Sequence, residues 1–159
     1  MRRKDKVIKN HSTIEFLINK ALICRIALSH NDIPYIVPMN FAYKDMNIYL
    51  HSSREGKKID IIKKNNKVCF EIDLDKELKI SSIPCNWTMK YYSVIGFGTA
   101  SFIEDIKEKK NAMNIIMQKY SGKMSWTYPE RMIESVLIIK VKINKFTGKK
   151  SIHTNFIDN

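Results

Sequence analysis

Ile48-Tyr49-Leu50-His51-Ser52-Ser53-Arg54-Glu55-Gly56-Lys57-Lys58 changes hydrophobic period partway along. Ile48 and Leu50 alternate with Tyr49 and His51, the two-residue period of a half-buried strand, and polar residues then end it. A short loop containing Gly56 follows, and Ile59 and Ile62 resume at helical spacing behind two lysines. Such a strand-loop-helix junction favours a phosphate: first-turn N–H groups point outward, the helix dipole attracts negative charge, hydroxyls donate and lysine adds full charge. The same residues also make an ordinary strand-to-helix loop with a solvated first turn, and the residues alone leave both readings open. The pattern is not a Walker loop. Gly96-Phe97-Gly98 lacks the third glycine and the helix of a dinucleotide fingerprint.

Upstream of the junction, residues 23–29 are short and β-rich, Asn31-Asp32 makes a turn, and residues 35–43 return. Lys44-Asp45-Met46-Asn47 turns again into Ile48, so three strands form an antiparallel meander. Before it, Ser12-Thr13-Ile14-Glu15 has the form of a capping box, and Ile14, Leu17, Ile18, Ala21 and Leu22 predict a helix over 13–22.

Downstream, the lysine-headed helix ends near Asn65-Asn66, and residues 67–73 alternate as a strand, with 74–84 looping out. Residues 88–103 place Tyr91, Ser93, Ile95, Phe97 and Thr99 on one side and Gly96 and Gly98 on the other, the bend or close approach that barrels require. A second amphipathic helix covers 105–120, where the stripe Ala112, Met113, Ile116, Met117 and Tyr120 reads as core, and a short helical segment follows Pro129. In the last strand, 136–146, the run Val136-Leu137-Ile138-Ile139 predicts burial on both faces. Six mostly antiparallel strands with flanking helices, a mainly β chain of the α+β class, predict one small barrel with no internal repeat.

Composition narrows the function. At 159 residues and 44% hydrophobic, the chain can bury a core. No apolar run approaches the roughly 20 residues of a membrane span. No apolar signal-peptide core follows the charged first residues, and Cys24, Cys69 and Cys85 are odd in number without a C-x-x-C, so a reducing cytoplasm is expected. The net charge of +12 raises a nucleic-acid partner. Against it, all but five of the 28 cations are lysine, they are scattered, and Lys, Ile and Asn share AT-rich codons. A solvated surface accounts for the excess better, with a small anionic ligand still open.

His51, at a strand end, is a candidate proton donor or ligand-positioning group, or simply structural. His11, His30 and His153 have no sequence partner, no nucleophile elbow occurs, and no zinc-type Cys/His cluster is present. Cys85 lacks a sequence-local base, and Asp73 and Asp75 read as a solvated loop.

Four stretches together carry a resemblance. They are Arg2-Arg3-Lys4-Asp5-Lys6; Pro34-Tyr35-Ile36-Val37-Pro38-Met39-Asn40-Phe41 followed by Ile48 to Ser53 and Gly56-x-Lys58; Tyr91-x-Ser93-Val94-Ile95-Gly96-x-Gly98; and Phe146-Thr147-Gly148-Lys149. In this order and spacing the chain resembles the pyridoxamine 5'-phosphate oxidase-like, FMN-binding split barrels, and within them the nitroimidazole-resistance (Nim-type) subgroup.

The resemblance implies a single FMN-binding split-barrel domain over 1–159, acting as a homodimer with FMN at the subunit interface. Pro38, Met39, Asn40 and Phe41 would lie beside the flavin ring through main-chain groups. His51, Ser52 and Ser53 would line the ribityl and phosphate region, and Lys58, helped by Lys57, would pair with the phosphate. Tyr91, Ser93 and Trp126 would complete the site from the partner. The Arg-x-His pair that holds vitamin B6 substrates in true pyridoxamine phosphate oxidases is absent, and the turn at Asn31-Asp32-Ile33 lacks the glycine common in relatives. The expected activity is an FMN-dependent oxidoreductase reducing nitroaromatic compounds such as 5-nitroimidazoles, with His51 in a catalytic role and no metal. A non-catalytic flavin- or haem-binding store or sensor is the alternative, and nucleic-acid binding ranks last.

Overall fold

The computed structural model describes residues 3–151, so Arg2 and His153 lie outside the described residues. In chain order its elements are β1 (Val7–Ile8), α1 (His11–Lys20), β2 (Ile23–His30), β3 (Ile33–Asn40), β4 (Ala42–Lys44), β5 (Asn47–Ser52), α2 (Lys57–Lys64), β6 (Lys67–Lys79), β7 (Thr88–Ile103), α3 (Ile106–Ser121), α4 (Glu130–Ser135) and β8 (Leu137–Lys150). All strands pair antiparallel in one sheet of order β3-β2-β6-β7-β8-β5-β4, with β1 added to β8.

Its two edges, β3 and β4, are successive parts of one chain segment interrupted only at Phe41. The sheet therefore closes through that residue rather than through a ladder, which is the split barrel expected. The predicted strand over 35–43 is divided there for a packing reason. Phe41 and Ala42 are both buried, at 0% and 1% exposure. A flat strand cannot send two successive side chains inward. With the two-residue β1, this raises the predicted six strands to eight.

Tight turns set the register of the meander. Asn31 and Asp32 adopt φ of 51° and 59°, and Asp45 and Met46 adopt 49° and 60°. These are the paired left-handed conformations whose twist suits two-residue hairpins. Asn31-Asp32 thus forms the turn without a glycine.

The long hairpin of β6 and β7 extends further than the sequence predicted. Residues 74–79 do not loop out: Glu77, Leu78 and Lys79 pair with Lys90, Met89 and Thr88, after a bulge between Leu74 and Glu77. A polar stretch remains a strand because β7 supplies a ladder for its backbone.

Gly96 and Gly98 face the core. A Cβ on Gly96 would lie 2.2 Å from Cζ of Phe70, and one on Gly98 would lie 2.6 Å from the Lys142 carbonyl oxygen. Inside the barrel are Leu17, Ile18, Ile26, Ile48, Phe70, Ile72 and Val141. A second cluster of Ile103, Ala112 and Ile138 seats α3 on the outer face of β7 and β8, so Leu137, Ile138 and Ile139 are all buried as predicted.

The helix caps are partly those expected. Asp105 accepts from the Glu108 N–H, and Gly122 ends α3 at φ 74°. Both are ordinary cap chemistry. By contrast, α1 begins at His11, with Asn10 rather than Ser12 as its cap. Glu15, the other half of the expected capping box, instead accepts from the Tyr43 hydroxyl.

Candidate functional site

The end of β5 divides its side chains between two faces. His51 points outward and is exposed, whereas Ser52 points into the barrel, is 8% exposed, and its hydroxyl has no hydrogen-bond partner among the described residues. Pairing to Ile138 and Leu137 of β8 fixes both positions. Ser53 then donates its hydroxyl to the Glu55 carbonyl at 2.8 Å, curling the loop. Gly56 stands at φ 120°, with open space around it. That backbone conformation, rather than crowding, selects glycine. No side chain caps α2, which starts at Lys57. Lys58 is half-buried, and no ion pair engages it among the described residues. A buried hydroxyl, an uncapped helix start and an ammonium group therefore share one junction.

Residues distant in sequence hold the junction in place. Lys57 sits 4.9 Å from the centre of the Tyr35 ring, a cation–π contact that brings the start of α2 against β3. Arg54 donates to the Glu134 carbonyl at 3.2 Å and to Glu104 at 2.8 Å, and the buried Lys109 also reaches the Glu134 carbonyl. Arg54 and Tyr35 carried no sequence signal for this role, because their partners lie up to 80 residues away.

On β3, Pro38 and Asn40 face outward and exposed, while Met39 is half-buried against the core. Phe41 is fully buried. Its N–H donates to the Tyr120 hydroxyl at 2.9 Å, and that hydroxyl donates to the Leu22 carbonyl at 2.6 Å. Lys119 lies 3.5 Å from the centre of the Phe41 ring and donates to the Ile18 carbonyl, and burial pushes its amine down to about 8. Adjacent residues of α3 thus lock the bend between β3 and β4. The sequence pattern marked Tyr120 only as core.

Tyr91 and Ser93 are not brought to this junction within one chain. Both lie on the outer face of β7, where Ser93 pairs with Lys149, whereas His51 is level with Ile138 and Ile103. Ser93 and Ile103 are ten positions apart on β7. That separation is on the order of 30 Å at about 3.3 Å per residue. Their neighbours on that face, Ile95 and Phe97, are 42% and 46% exposed. Beside them Arg25 is paired with Glu71 and Asp73, and hydrogen bonds from Lys76 and Arg25 hold the Asp73 carboxyl below its ordinary range. Trp126 lies in the loop after α3, where its backbone N–H donates to the Asn114 side-chain oxygen and Lys123 stands 5.0 Å from the centre of its ring.

Among the described residues, no group of His, Cys, Asp and Glu is placed to hold a metal ion, and no helix is long and apolar enough to cross a membrane.

The sequence model described as pyridoxamine 5'-phosphate oxidase matches residues 10–150. A candidate 5-nitroimidazole antibiotic resistance protein from Bacteroides thetaiotaomicron is 35% identical and superposes with a TM-score of 0.81, over 91% of this chain and 86% of that one. A flavocytochrome from Azotobacter vinelandii (17% identity, TM-score 0.82, 95% of this chain and 72% of that one) shares the fold. So does a FAD- and heme-binding protein from Mycobacterium smegmatis (13% identity, TM-score 0.83, 92% and 74%). No curated protein sequence matches the chain. A family match spanning most of the barrel, joined to a 35% identical structure, shows that this chain belongs to the pyridoxamine 5'-phosphate oxidase family.

Proposed function

We propose that the chain is an FMN-dependent oxidoreductase, one cytoplasmic split-barrel domain that works as a homodimer and reduces nitroaromatic compounds such as 5-nitroimidazoles. The observation that carries this reading is the Ser52 hydroxyl, buried and without a partner among the described residues, shortly before the uncapped start of α2. Leaving such a group unpaired costs about 1–3 kcal/mol, so its retention fits an oxygen supplied by a ligand. The donors around it are those a phosphate needs: a hydroxyl, first-turn amides and the Lys58 ammonium. The candidate resistance protein, 35% identical, supports the nitroimidazole class.

FMN, when bound, would supply the electron transfer. The chain's own residues would bind and orient. Ser52 and Lys58 would take the phosphate and Ser53 would line it, its hydroxyl curling the loop onto the Glu55 carbonyl, while Lys57 stays with Tyr35 and steadies the helix start. Main-chain groups of Pro38, Met39 and Asn40 lie on a sheet edge, where one side of the backbone is not used in a ladder. Phe41 would act by setting the bend, because its N–H is engaged by Tyr120. His51, exposed at the end of β5, is positioned to steer an acceptor or hand it a proton. Tyr91, Ser93 and Trp126 would come from the partner subunit.

Absorption of protein purified without added cofactor, followed by FMN titration, tests the binding. One FMN per subunit is expected, with S52A and Lys58→Ala each weakening it about tenfold, the loss of one charge-assisted contact. No bound flavin and no FMN binding would remove the reading. Turnover of a 5-nitroimidazole with dithionite or a nicotinamide as reductant tests the chemistry. Flavin binding without any reduction would favour the storage or sensor alternative, and a His51→Ala variant with normal turnover would take His51 out of the reaction.

A further inference from the structure

Among the described residues Lys109 is the one buried charged side chain, at 1% exposure, and it is not among those assigned to the flavin. A buried ammonium is costly unless it is paired. Lys109 reaches the Glu134 carbonyl at 3.4 Å and Oε2 of Glu104 at 3.8 Å. Arg54 takes the same two oxygens: Nη1 donates to the Glu134 carbonyl at 3.2 Å and Nη2 to Oε2 of Glu104 at 2.8 Å. A cation from α3 and a cation from the loop after β5 thus share one carboxylate just past β7 and one carbonyl in α4.

Both acceptors belong to the frame that fixes Ser52. Glu104 follows Ile103, the last residue of β7, and α4 leads through Val136 into Leu137, the β8 residue paired with Ser52. Arg54 and Glu104 side chains are 47% and 59% exposed, and an exposed pair alone contributes little. Here Lys109 holds both acceptors from the buried side, so Arg54 closes onto groups already in place and less freedom is lost in ordering it. Among the described residues, Arg54 gives the loop 53–56 its only side-chain hydrogen bonds to another element, since Ser53 bonds within the loop.

We propose that Arg54 is a positioning residue. Closed onto Glu104, Glu134 and Lys109, it holds the loop so that Ser52, the first-turn amides of α2 and Lys58 converge on one phosphate, and the site thereby selects a phosphorylated flavin over riboflavin. The guanidinium is occupied by Glu104 and Glu134, so Arg54 acts through the loop and not by touching the phosphate. This role rests on the phosphate binding proposed above for the same junction.

Flavin fluorescence titrations with FMN and with riboflavin test it, because riboflavin shares every feature of FMN except the phosphate. The native chain is expected to prefer FMN. Arg54→Met should weaken FMN about tenfold and leave riboflavin affinity unchanged, and Lys109→Met should weaken FMN several-fold with riboflavin again unchanged. Glu104 is exposed, so Lys109→Met leaves no buried charge behind, and thermal unfolding without ligand should match the native chain. In the Arg54→Met background Lys109→Met should cost nothing further, since both act through one cluster. An unchanged FMN-to-riboflavin ratio in Arg54→Met, through equal loss of both flavins or loss of neither, would overturn the proposal. Additive losses in the double variant would overturn the coupling of Lys109 to Arg54. A native chain that binds riboflavin as tightly as FMN, or neither flavin, would remove the phosphate site itself and this role with it.

Discussion

Phe41 shows how much one residue can decide. Its ring enters the core while its backbone leaves the ladder, and Tyr120 replaces the missing partner with a single hydroxyl. Tyr120→Phe would strand a buried N–H, and urea unfolding should show a loss of about 1–3 kcal/mol. Ser52→Ala removes an unpaired hydroxyl instead, so the flavin-free protein should unfold at an equal or higher denaturant concentration even as FMN binding weakens. Lys119 links the same bend to pH. Burial pushes its amine down to about 8 from an ordinary 10.5, so from pH 8 upward the unfolded chain holds a proton that the folded chain has released. Stability therefore rises with pH in that interval. Cys24, pushed up to about 12 by burial from an ordinary 9.0, opposes the rise once pH passes 9. Unfolding curves should show a gain between pH 8 and 9 that Lys119→Met abolishes, and an unchanged slope in that variant would exclude Lys119 as its source.

At the scale of elements, β7 is the strand on which the barrel turns. It pairs along its length with β6 and β8, and its glycines admit the Phe70 ring on one side and the β8 backbone on the other. Gly96→Ala would place a methyl group within the Phe70 ring and should cost about 1–3 kcal/mol through overpacking. Phe70→Leu in the same chain should recover part of that loss, and purely additive losses in a double-mutant cycle would refute the contact as the cause. The glycine pattern and the outward set from Tyr91 to Thr99 were legible because a strand's period of two is written directly in the sequence. Residues 74–79 were not, since their backbone is satisfied by a partner strand rather than by their own apolar pattern.

For the whole molecule, one chain holds the two halves of the proposed site far apart, and the exposed Ile95 and Phe97 lie on the same outer face as Tyr91 and Ser93. In the proposed homodimer a second copy covers that face, and Tyr91 and Ser93 complete the partner's site. Phe97→Glu is therefore expected to shift the sedimentation coefficient from dimer to monomer and to weaken FMN binding together. A monomeric variant with unchanged FMN affinity would show that one chain suffices.

Much of this protein was written in local sequence. Period-two and helical apolar patterns marked six strands and the principal helices, the left-handed turns fell on Asn31-Asp32 and Asp45-Met46, and the sequence from His51 to Lys58 placed a strand end, a glycine and a lysine-headed helix together. Those features depend on side chains within a few residues of one another. Tertiary structure alone decided the bend at Phe41, the clamp of Tyr120 and Lys119 on it, the support of the loop by Arg54 and Glu134, and the enclosed hydroxyls of Ser52 and Tyr92. Each depends on groups distant along the chain or on burial, and pairing and enclosure exist only once the sheet has closed.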